Sequence, residues 1–234
     1  MYLDMLLSRR VLTNHRNTYS SMYYGMFSAT RQLRGLSSEG LAHKLRELYD
    51  VEAAQEVNHL TPVDWLELHT QNRWPLHLIL ARLTDYVDQQ SDEPSSYLKY
   101  VNDVAGQRYE VEHIWADKPD QHLDEFGDPN AFRDRRNRFG GLLLLPKSFN
   151  ASFGDLPYEK KLPHYLSQNL LARSLHPQCY DHNPRFVDFK NRSGLPFRAH
   201  EQFRAEDIEI RQGLYRAIAE RIWNPDLLLH EVGA

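Results

Sequence analysis

Apolar positions recur at helical spacing through residues 19–90. Leu41, Leu45 and Leu48 share one face, and Leu76, Ile79, Leu80, Leu83 and Val87 repeat after Pro75. Thr61-Pro62 gives a helix start, with the threonine as N-cap and the proline as first helical residue. The polar stretch around Pro94 interrupts the pattern and predicts a boundary, with a helical region over 1–105 and a second region over 106–234. Beyond it the period changes. Residues 108–115 alternate, with Tyr109, Val111, His113 and Trp115 on one side, and residues 139–146 form a short apolar run after a double glycine; both predict strands. The polar segment between them, with turn residues Gly127, Asp128 and Pro129, predicts a loop. After Pro146 the chain starts irregularly and becomes helical, and Ile208, Tyr215, Ile218 and Ile222 mark the stripe of a closing helix. The expected class is α+β and mostly helical.

Composition narrows what such a chain can do. With 234 residues and 41% hydrophobic content it can bury one large core or two small ones. No apolar run approaches the roughly 18 residues of a membrane span, and the N-terminus lacks the order of a signal peptide, so the expectation is a cytoplasmic protein with no membrane partner. The single cysteine, Cys179, excludes an internal disulfide and a cysteine-rich zinc site, so any metal must use His, Asp, Glu or Asn. A net charge of −4 is that of no generic polyanion binder, and contact with nucleic acid requires a local basic patch. The densest cluster lies at 133–138 and includes Arg135 and Arg136; Lys147, Lys160 and Lys161 are further candidates. Most of the histidines, such as His43, His69 and His77, are scattered along helical stretches and read as structural or surface residues.

Glu112-His113 differs from these in its setting along the chain. An acid-histidine pair at a strand end, a loop, a second strand and a helix make up a ββα-metal arrangement, that of the His-Me finger nucleases. Hydrolysis of a phosphodiester needs a base that titrates near neutrality, which is the range of histidine, and His113 is the candidate. Charge that builds on the phosphorus oxygens calls for a hard cation, Mg²⁺ with Mn²⁺ as the alternative, and the oxygens of Glu112 and Asn150 suit it.

Residues 109–115 together with the 138–161 segment closely resemble the C-terminal HNH nuclease domain of GmrSD-type restriction enzymes. Glu112-His113-Ile114, Gly140-Gly141 with Leu142 to Leu145, Asn150, and Lys160-Lys161 with Tyr165 stand where that family has its motifs. The segment 73–87 and the tail 208–223 resemble the family's preceding and closing helices. The resemblance implies His113 as general base, with Glu112 and Asn150 as metal ligands. It also implies DNA as substrate in prokaryotic phage defence, with a nucleotide-hydrolysing sensing domain N-terminal to the nuclease. No Gly-x-x-x-x-Gly-Lys-Ser/Thr loop occurs in these residues, so nucleotide binding is expected from elsewhere. Two positions depart from the pattern. A proline is replaced by Ala116, and the asparagine expected to orient the catalytic imidazole is Gly141. The ring must then be held by water, a backbone carbonyl or Asn137. Catalysis weakened by this loss defines the alternative, an HNH fold that serves as a DNA-binding or subunit-interaction module.

Overall fold

The computed structural model describes residues 1–15, 17–54, 60–102 and 107–230, so the expected boundary at 105/106 lies outside the described residues. Contacts group the chain into two compact units, 1–66 with 219–234, and 67–218.

The first unit is helical, with α1 (Tyr2–Leu12), α2 (Tyr19–Leu33) and α3 (Ser38–Ala53). Its helix starts obey local chemistry. Thr18 and Ser21 form a reciprocal capping box at α2, and the Ser37 hydroxyl accepts from the Gly40 amide at α3. The expected leucine face of α3 is not its buried face. Ala42 and Tyr49 are buried, whereas Leu41 is 37% exposed. The helix start expected at Thr61-Pro62 is a short 3₁₀ turn, Thr61–Trp65.

The second unit opens with α4 (Arg73–Gln90) and α5 (Tyr97–Val101). Leu76, Ile79, Leu80, Leu83 and Val87 are all buried, as their spacing predicts. This face packs on a two-stranded antiparallel sheet of β1 (Tyr109–His113) and β2 (Leu142–Pro146). That packing is why α4 belongs with the strands and not with the helices before it. The chain between the strands is not simply a loop: it contains α6 (Pro129–Arg136). Asp128 accepts from the Asn130 amide as N-cap, Pro129 fits the first turn, and Phe132 is buried flat against Trp115, with ring centroids 5.6 Å apart. Asp-Pro suits a turn and a helix start equally, and here it starts a helix.

Helices α7 (Lys147–Phe153) and α8 (Tyr158–Tyr165) come after β2, the first with no irregular lead-in. The short α9 (Leu170–Arg173) and α10 (Gln178–Asp181) then lead to α11 (Pro184–Ser193) and α12 (Ala205–Ile222). The closing helix buries Ile208, Tyr215 and Ile218 as expected. Residues 139–141, expected in the second strand, form a 3₁₀ turn that lies against α12, where the Gly140 amide donates to Gln212 Oε1 at 3.1 Å. Tyr215 donates to the Leu142 carbonyl at 2.7 Å. Last, α13 (Leu227–His230) packs on α3 in the first unit.

Candidate active site

The strand register sorts the candidates onto opposite faces of the sheet. Partners run from Tyr109↔Pro146 to His113↔Leu142, and residues opposite one another share a face. Glu112 therefore lies on the face of Leu143, whereas His113 lies on that of Leu142. The ladder continues one step past His113, where the Ile114 amide donates to the Gly141 carbonyl at 2.9 Å. His113 is thus fixed at a rigid strand end.

The imidazole is oriented by Asn137. Nε2 of His113 lies 2.9 Å from Asn137 Oδ1. An amide oxygen only accepts, so Nε2 carries the proton and Nδ1 keeps its lone pair. Asn137 caps the C-terminus of α6; its own amide donates to the Arg133 carbonyl at 3.0 Å, and its carbonyl accepts from Leu68 at 2.7 Å. An asparagine from the inter-strand segment, among the options left open by the sequence, thus stands in for the side chain that Gly141 lacks. Burial, then the nearby positive charge of Arg136, lowers the His113 pKa to about 3; the Asn137 hydrogen bond opposes the shift. The free protein therefore holds a neutral imidazole at neutral pH.

On the other face Glu112 is buried and paired. Lys161, fully buried in α8, donates through Nζ to Glu112 Oε1 at 2.8 Å and to the His113 carbonyl at 3.0 Å. Burial pushes the carboxyl above its ordinary range and Lys161 acts against that shift. Lys161, expected at a DNA-facing surface, is instead an interior cation that ties α8 to the strand end. The signal was present: Tyr158, Lys161, Leu162 and Tyr165 form one buried helical stripe.

Asn150 sits mid-helix in α7, which packs on both strands, and its neighbour Phe149 joins Leu143, Leu145 and Ile114 in one buried cluster on the Glu112 face. Its Oδ1 is buried and has no hydrogen-bond partner. A buried amide oxygen with no hydrogen-bond partner suits a hard cation that keeps several waters. Among the described residues no cluster of three His, Cys, Asp or Glu offers a metal site built from those side chains alone.

The basic candidates separate. Lys147 and Lys160 are exposed. Arg135 is ion-paired with Glu209 on α12, and Arg136 donates through Nε to the Trp115 carbonyl at 3.0 Å. Burial lowers the Arg136 pKa, countered by Asp117 and Glu112. These two arginines are largely engaged within the fold, not free to form one outward basic edge. Cys179 is buried and its thiol is pushed up to about 12 by burial, consistent with an inert structural residue.

Residues 41–217 match a family model described as GmrSD restriction endonucleases, C-terminal domain. No curated protein and no solved structure matches the chain. No helix among the described residues is long and apolar enough to cross a membrane.

Proposed function

From a chain that belongs to the family of C-terminal domains of GmrSD restriction endonucleases, we propose a metal-dependent HNH endonuclease or nickase that hydrolyses DNA phosphodiester bonds in prokaryotic phage defence. The observation that carries this reading is the His113–Asn137 pair, a neutral imidazole with its tautomer set and Nδ1 available. Water attacks phosphorus and gives its proton to Nδ1, while the P–O bond to the leaving oxygen breaks. Asn137 Oδ1 then accepts from an imidazolium and stabilises it, and the anionic charge of a substrate phosphate beside the ring would raise its basicity. Asn150 Oδ1 is the oxygen this reading offers to Mg²⁺ or Mn²⁺, which would supply Lewis-acid stabilisation; Glu112, on the sheet face opposite His113 and paired with Lys161, would join it only with that strand end and ion pair rearranged. Lys161 holds Glu112 and the His113 backbone in place. A nucleotide-hydrolysing sensing domain is the proposed partner.

The test is nicking of supercoiled plasmid with Mg²⁺, Mn²⁺ or chelator. Cleavage that needs the divalent ion and is lost in His113→Ala, with DNA binding retained, is the expected result; cleavage that survives His113→Ala sinks the assignment. The low basicity of His113 favours one other reading, a DNA-binding module without cleavage. Binding without metal-dependent nicking by the wild type would select it.

A further inference from the structure

Along the first half of β1, from Arg108 to Val111 and two residues short of His113, lies a cleft that neither the general-base chemistry nor the metal reading uses. It has a volume of about 440 Å³ and is lined from α4, α5 and β1, including Arg73, Trp74, His77, Arg108 and Tyr109. Trp74 is 57% exposed, an unusual state for the largest apolar side chain, and stacks on His77 with ring centroids 5.1 Å apart and planes at 27°. His77 is fixed from behind by the Tyr100 carbonyl, 2.8 Å from Nε2. The indole thus stands as a braced aromatic surface at the cleft. Tyr109 adds a second ring, held edge-on against Tyr100 with centroids 4.9 Å apart.

Charge surrounds these rings. Arg73 and Arg108 are exposed at the cleft, the latter in a loose 3.5 Å pair with Glu110, the anionic residue of the lining. Arg73, at the start of α4, stands on the cleft lining next to Trp74. Tyr109 and Val111, on the lining, alternate along β1 with His113 and share its face.

We propose that this cleft is a nucleotide subsite of the DNA track, in which one base of the bound strand stacks on Trp74 while Arg73 and Arg108 hold its flanking phosphates. Rings on which a base can stack, combined with cations that track the backbone, are the means by which proteins hold unpaired strands without reading their sequence. The inference rests on the proposed DNA reading but makes a demand of its own: one base must leave its stack at this point.

The test uses the whole chain with His113→Ala, so that DNA is bound and not cut, and fluorescence anisotropy with three probes. These are a short single-stranded oligonucleotide, the same oligonucleotide with all bases removed, and a deoxynucleoside monophosphate as competitor. Adding Trp74→Ala should weaken binding of the base-containing strand about tenfold and leave the abasic strand nearly unchanged, while Trp74→Phe keeps most of the affinity. Adding Arg73→Ala should weaken both strands alike and reduce the salt slope by roughly 0.7. An equal loss on both strands for Trp74→Ala, no loss, or no strand binding at all overturns the subsite. Displacement by the monophosphate at micromolar concentration overturns it as well, in favour of a site for free nucleotide. Because cleavage is not read, base-dependent binding in the His113→Ala chain together with a wild type that fails to nick plasmid would sustain the subsite and sink the nuclease.

Discussion

His113 shows how one side chain acquires a role from its neighbours. A histidine on a strand is ordinarily a base near neutrality; here burial and Arg136 make it a weaker one, and Asn137 fixes which nitrogen is open. Asn137→Ala should therefore slow single-turnover nicking by about 10- to 100-fold without changing the metal concentration needed, because it removes orientation and not a ligand. Asn150→Ala should show the opposite pattern, a loss partly recovered by more metal. If the two variants responded alike to metal, the division of labour would be wrong. Gly141→Asn, which the family pattern suggests as a repair, has no vacancy to fill. The Asn137 amide already faces the ring, and a Cβ on Gly141 would meet the Arg136 carbonyl at 3.0 Å. Its nicking rate should equal or fall below that of the wild type, and a rise would show that Asn137 orients the ring poorly.

At the scale of elements, the site depends on a close approach between the turn before β2 and α12. A Cβ on Gly140 would lie 2.0 Å from the Ile208 carbonyl and 2.6 Å from the Gln212 amide, both backbone atoms that cannot move independently of the helix. Gly140→Ala should cost at least about 3 kcal/mol, read from a denaturant midpoint, whereas Gly127→Ala, with nothing within 4 Å, should stay within about 0.5 kcal/mol. Similar midpoints for both would contradict the packing. The double glycine was legible as a strand signal but not as a helix contact, since close approach is a property of two distant segments. The same limit explains the rest of what was and was not legible. Local periodicity identified α4, both strands and the α12 stripe. It did not identify α6, where Asp128-Pro129 serves as a cap, or the Lys161–Glu112 pair, whose partners are 49 positions apart. The motif residues were legible; their distribution over the two faces of the sheet required the register.

Across the whole molecule, buried histidines link the fold to pH. His200 is 4% exposed, its Nδ1 lies 2.8 Å from Asp207 Oδ1, and burial, with Arg211 second, lowers its pKa to about 4. In the unfolded chain the value is near 6.5, so between roughly pH 6.5 and 4 the unfolded state binds a proton that the folded state refuses. The stability held above that window is lost as pH falls through it, and His113, lowered to about 3, adds in the same direction. Each histidine contributes a slope of at most about 1.4 kcal/mol per pH unit. The melting temperature should fall between pH 7 and 5, and His200→Asn should flatten that dependence whatever it does to the value at pH 7. An unchanged slope would mean that His200 is protonated in the native state.

Charge at the same scale decides how DNA is held. With a net charge of −4 the protein gains little from its overall field, and affinity must come from cations that face outward. Arg135 is committed to Glu209 and Arg136 to the Trp115 carbonyl, so neither presents a free charge to a phosphate. Lys147, at the start of α7 directly after β2, and Lys160, on α8 beside the buried Lys161, are exposed. Each phosphate contact to duplex DNA releases counterions and adds roughly 0.9 to the slope of log affinity against log salt. Lys147→Ala with Lys160→Ala should therefore reduce that slope by somewhat under 2, with a fold indistinguishable from wild type. Arg135→Ala should change it little, and Arg136→Ala should lower thermal stability more than it lowers the slope, because it leaves the Trp115 carbonyl without its donor. Should the lysine variant keep the wild-type slope while Arg135→Ala reduces it, the Glu209 pair would have to open on DNA, and the track would run along the α6–α12 side of the strand end instead of the α7–α8 side.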